Sequence, residues 1–111
     1  AQCAQDIAGL PAGYAKRLLT ARLRLAQGRT QEALEEARRL NADTPDDLDA
    51  YALIVDAALL LGNAPEAERA AQWMLDLRDR DARSLTRAAA VREHLKDLSG
   101  ARDLLMAAYQ T

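Results

Sequence analysis

"QGRTQEALEEA", residues 27–37, and "LGNAPEAERAA", residues 61–71, are two versions of one phrase. Gly28 answers to Gly62, Glu32-Ala33 to Glu66-Ala67, and Ala37 to Ala71, every pair at the same separation. Ala101 follows Ala67 by that same step. The step also joins Leu25 to Leu59, Leu61 to Leu95, Tyr51 to Leu85, Ile54 to Ala88 and Val55 to Ala89. A phrase written twice at fixed spacing describes a unit of architecture before it describes any chemistry.

Outside the phrase the same helical rhythm continues. Ile7, Leu10, Tyr14, Leu18, Ala21 and Leu25 recur at three- and four-residue steps, which place them on one helix face. Leu34, Ala37 and Leu40 do likewise, as do Tyr51, Ile54, Val55, Ala58 and Leu61. Further sets are Ala67, Ala70, Ala71, Met74 and Leu75, then Leu85, Ala88, Ala89, Arg92 and Leu95, then Ala101, Leu104, Leu105, Ala108 and Tyr109. No alternating strand pattern occurs. The breaks carry turn chemistry. Pro11 suits a first helical turn, Gly28 and Gly62-Asn63 suit left-handed helix ends, and Thr30, Asp46 or Asp47 and Ser99 are candidate N-caps. Six helices are predicted, at about 11–27, 30–42, 47–61, 64–77, 82–96 and 99–110. Residues 1–10 read as a flexible leading segment.

A chain of 111 residues holds one domain, and with 50% apolar residues it can bury a core. Alanine dominates that share and phenylalanine is absent, which favours closely packed helices over sheets. The net charge of −2 argues against nucleic acid as a partner. The longest apolar run, "AYALIVDAALLLG", is too short to span a membrane and contains Asp56. Cys3 is the single cysteine, so no internal disulfide forms and the compartment is not legible from cysteine usage.

A helical hairpin recurring every ~34 residues resembles the tetratricopeptide repeat. Three units are expected, at about 14–47, 48–81 and 82–111, as part of a longer protein. In the middle unit Tyr51, Ile54, Val55 and Ala58 stand where the family places an aromatic, a large aliphatic, a small residue and an aromatic. Pro45 falls on the terminal proline of the first unit. Arg17, Thr20 and Arg24 depart from apolar consensus positions, Asp79 from the second proline and Lys96 from the third glycine. The resemblance implies an all-α superhelical solenoid whose first helices line a concave groove. Ala33, Ala67 and Ala101 are then the close crossings within each hairpin, with Gly28, Gly62, Tyr51 and Leu85 as further repeat-packing positions.

The resemblance places groove candidates at Leu18, Leu19, Arg22, Asp49, Leu53, Asp56, Leu60, Arg83, Arg87 and His94. Leu53 and Leu60 are expected to floor the groove or to pack under neighbouring helices. Some family members clamp the carboxylates of chaperone tails with five polar residues. Arg83 and Arg87 match the two basic positions of the third unit, whereas Leu18 stands for a lysine and Arg22 and Leu53 for asparagines. A looser attraction of an acidic segment by Arg22, Arg83 and Arg87 fits the residues better, because guanidinium forks suit carboxylates.

Other constellations reduce to structural roles. Asp43, Asp46, Asp47 and Asp49 lack the glycine turn and distal glutamate of a calcium loop. Cys3 and His94 sit at opposite ends of the chain. No phosphate loop, zinc set or nucleophile elbow occurs, so neither catalysis, cofactor nor metal is expected. Trp73 is expected to pack in the core; an exposed position would make it a self-association contact. The leading expectation is a scaffold that binds a protein or peptide, with acidic segments favoured. The alternative is a segment of a longer solenoid, or homo-oligomeric assembly through the uncovered C-terminal helix. RNA-binding helical repeats are disfavoured by Asp49 and Asp56.

Overall fold

The computed structural model describes residues 13–110. Six helices follow one another: α1 (Tyr14–Ala26), α2 (Thr30–Asp43), α3 (Leu48–Leu60), α4 (Ala64–Leu77), α5 (Ala82–His94) and α6 (Leu98–Tyr109). The expectations placed on Cys3, Pro11 and the segment 1–10 lie outside the described residues. Among those residues there is no strand.

Each helix packs on the next in sequence, and beyond that only α1 with α3 and α3 with α5 bring their backbones together. The backbones of the second helices α2, α4 and α6 stay apart. That pattern is a solenoid: units that contact neighbours alone, with alternate helices closing ranks on the inner side of the curve. The first helices therefore form the inner row and the second helices the outer row.

Composition explains the positions. Helix α3 buries Leu48, Ala50, Tyr51, Ala52, Leu53, Ile54, Val55, Ala57 and Ala58, because it is packed by α1, α2, α4 and α5 at once. Its apolar surround is thus the mark of a central helix. Helices α2 and α4 bury one stripe each, Ala33, Leu34, Ala37 and Leu40 in the one, Ala67, Ala70, Ala71 and Met74 in the other. Ala33 and Ala67 are fully shielded and Ala101 nearly so. Ser84, the buried polar residue of the core, donates its hydroxyl to the Met74 carbonyl at 3.1 Å and ties α5 to α4.

Gly28, Gly62 and Lys96, at one repeat offset from each other, end the three first helices with φ of 82°, 75° and 67°. This left-handed turn suits glycine, and a side chain there carries a strain of about 1–2 kcal/mol. The departure of Lys96 from the family's glycine has left the backbone unchanged and the strain in place. Lys96→Gly is expected to stabilise the protein by about 1 kcal/mol, read as a higher thermal midpoint. An unchanged or lower midpoint would contradict this account.

The caps correct the sequence reading in three places. Asn63 is not left-handed; its Oδ1 caps α4 by accepting from the Glu66 amide at 3.2 Å. Asp97 rather than Ser99 caps α6, accepting from the Gly100 amide at 3.0 Å, since a carboxylate complements the positive helix start. Thr30 is the first residue of α2 and makes no side-chain cap. Trp73 is 56% exposed on α4, against the expectation of core packing, because the buried stripe of that helix runs through Ala67, Ala70, Ala71 and Met74.

Candidate functional site

Two neighbouring first helices put chemically different residues at equivalent positions on the inner face. Asp49 of α3 and Arg83 of α5 are one repeat offset apart, and Arg83 Nη1 donates to Asp49 Oδ1 at 3.1 Å. On the other side of α3, Arg22 Nη2 of α1 stands 3.6 Å from the same Asp49 oxygen, an ion pair without a hydrogen bond. One carboxylate therefore bridges the arginines of the first and third hairpins. Farther along, Arg87 grips Asp56 with both edges of its fork, Nε to Oδ1 at 3.2 Å and Nη2 to Oδ2 at 3.0 Å.

Arg83 has a second carboxylate. Asp81 caps α5 by accepting from the Arg83 amide at 2.8 Å, and its side chain also accepts from Arg83 Nε and Nη2, each at 3.0 Å. These bonds push Arg83 above the usual guanidinium range, with Asp81 the larger cause and Asp49 the smaller, and burial opposing both. Asp81 is held below the usual carboxylate range by Arg83, against a burial effect. Asp47, at the start of α3, moves the other way. Burial raises it first and the charge of Asp49 second, and its Oδ2 is buried without a hydrogen-bond partner.

The apolar candidates divide. Leu19 is 67% exposed and Leu60 is 68% exposed. Leu18 and Leu53 are buried in the core cluster, Leu18 on α1 and Leu53 on α3, which α1 and α5 flank, so neither is open groove floor. His94 is exposed in the last turn of α5. The paired ions were missed in the sequence. Opposite charges at a one-repeat offset were the signal for Asp49 and Arg83; Asp81 carried only the weaker signal of an acidic residue before a helix.

Further ion pairs tie the helices together outside this cluster. Arg38 of α2 donates Nε to Glu66 of α4 at 2.8 Å, and Arg92 of α5 reaches Glu68 at 3.0 Å. Arg17 joins Glu36 at 3.0 Å and Asp43 at 2.7 Å, so this departure from the apolar consensus is a polar clasp between α1 and α2. Among the described residues no helix is long and apolar enough to cross a membrane, and no group of His, Cys, Asp and Glu is arranged to hold a metal ion.

No family model matches the sequence, and no curated protein matches it either. The structure does match a solved one, the second tetratricopeptide-repeat domain of Spaghetti (RPAP3), bound to the HSP90 peptide SRMEEVD. The match has a TM-score of 0.78, spans 99% of this chain and 98% of that one, and carries 16% sequence identity. The chain has the tetratricopeptide-repeat fold. At that identity the shared property is the backbone path. In this array of helical hairpins the inner face carries both signs of charge in contact with one another.

Proposed function

We propose that the chain is a non-catalytic interaction module that binds a peptide or partner helix along the concave face of α1, α3 and α5, with carboxylate-bearing segments preferred. The observation that carries this reading is the convergence of Arg22, Arg83 and Arg87, from two different hairpins, on that face. Guanidinium forks offer paired donors to carboxylates, and exposed Leu19 and Leu60 add apolar contact beside them. A solved domain of the same fold bound to an acidic heptapeptide lends support.

The test is a titration with labelled SRMEEVD at low and high salt. Weak, salt-sensitive binding is expected, and Arg83→Gln with Arg87→Gln should weaken it at least about fivefold, the loss of charge-assisted bonds worth about 1 kcal/mol or more. Absence of binding by this and other acidic C-terminal peptides at low salt would defeat the reading.

A second reading has its own observation. Leu98 is 67% exposed, Leu105 43%, Met106 55% and Tyr109 95%, all on α6. Exposed apolar side chains gathered on one helix favour association with another apolar surface, such as that of a second copy. Sedimentation over a concentration series separates the two: concentration-dependent dimers favour assembly, and a monomer that binds peptide favours the groove.

A further inference from the structure

We infer that Asp49 and Asp56 are built-in competitors for the groove arginines, setting a selectivity threshold against partners that offer only carboxylates; the inference rests on the groove reading above. Both aspartates project from α3, the middle helix of the inner row, and each occupies an arginine that a partner would need. Asp56 accepts both bonds of the Arg87 fork, the same bidentate geometry a partner's carboxylate would use. Asp49 accepts from Arg83 and pairs with Arg22, so it stands between the cations of the first and third hairpins.

Charge counting gives the consequence. Around Arg83 and Arg22 lie Asp49 and Asp81, and against Arg87 lies Asp56, so each cation of the cluster is matched by an anion. A matched cluster exerts little long-range pull on an acidic chain. At contact, an incoming carboxylate must displace an aspartate that remains nearby and repels it. A like charge held beside a binding site is a discriminating element as much as any attractive contact. Of the three arginines, Arg22 is least engaged, 53% exposed in its side chain and paired with Asp49 at a distance too long for a hydrogen bond, so it is where a carboxylate lands first. A partner segment bearing both charges loses less: its cation receives the aspartate that its carboxylate displaces.

Local helix chemistry does not explain the two aspartates. Asp49 lies in the first turn of α3, where it complements the helix start, but that role does not require the contacts it makes with Arg83 and Arg22. Asp56 sits mid-helix in a run of Leu, Ile, Val and Ala, where an apolar residue would extend the core. An ionised residue there is placed for its partner, Arg87.

The experiment compares four proteins for binding, at low salt, of labelled SRMEEVD whose arginine is replaced by glutamine so that the probe offers carboxylates and no side-chain cation: the parent chain, Asp49→Asn with Asp56→Asn, the control Asp46→Asn, and the aspartate pair combined with Arg87→Gln. Asparagine keeps the shape and removes the charge, and circular dichroism establishes that each variant is folded. The aspartate pair is expected to bind about tenfold more tightly than the parent, a change of about 1.4 kcal/mol. Asp46→Asn, which alters charge in the exposed turn before α3, should change affinity less than twofold. Arg87→Gln in the freed background should cancel most of the gain. Parent binding that the aspartate pair leaves equal or weaker overturns the inference and leaves the groove reading standing. An equal gain from Asp46→Asn also overturns it, since the effect would then be overall charge. Failure of every protein to bind overturns both readings together.

Discussion

Leu40→Ala is expected to remove about 2–5 kcal/mol of unfolding free energy, a large share of the roughly 5–15 kcal/mol that holds a domain together. Leu40 is fully shielded on α2 and belongs to the single cluster that runs from Tyr14 to Val91. Its carbonyl accepts both the Thr44 amide at 2.9 Å and the Thr44 hydroxyl at 2.7 Å, which pins the end of α2 where the chain turns towards α3. The backbone there has little freedom to collapse into the space a leucine vacates, so a cavity cost adds to the lost transfer energy. Denaturant unfolding measures it: a midpoint shift at constant slope signals stability alone. Leu105→Ala on α6 is the contrast. Leu105 is 43% exposed, so the same chemistry should cost less than about 1 kcal/mol. Equal costs at the two sites would mean that the core does not lie where the solenoid puts it.

Ala67→Leu is expected to cost about 1–3 kcal/mol by overpacking. Ala67 is fully shielded in the first half of α4, where that helix lies against α3. The extra carbons must push two helices apart or take a strained rotamer, and α3 cannot retreat because α1, α2 and α5 pack it from other sides. Ala101→Leu tests the same crossing in the third hairpin. There the backbone of α6 packs on α5 alone, and it can tilt into open space, so the cost should be smaller. Thermal unfolding of both variants gives the ordering. A tolerated Ala67→Leu would show that the repeated alanine reflects composition rather than close approach.

The fold was legible because its instructions are local and repeated. Gly28, Gly62, Ala33, Ala67 and Ala101 each report a backbone requirement of a short segment, a left-handed turn or a close crossing, and the repeat offset multiplies a weak signal. The candidate site was legible only in part. Its arginines follow from their register on the first helices, but burial does not. Leu53 and Leu18 occupy groove positions by register and core positions in space, since three inner helices sit close enough to cover them. Leu60 and Leu19, of the same type, stay out in solvent.

By itself the sequence determined that residues 13–110 form helices joined by turns, with no strand among them, and that equal hairpins stack in a row. Periodicity and turn chemistry act over a few residues, so a one-dimensional string carries them whole. Tertiary structure alone decided which charges meet. Asp49 joins Arg22 and Arg83, and Asp56 joins Arg87, each pair spanning two first helices with a whole second helix between them in the chain. An ion pair depends on the distance and angle between side chains on different helices, and those are set by how the hairpins pack.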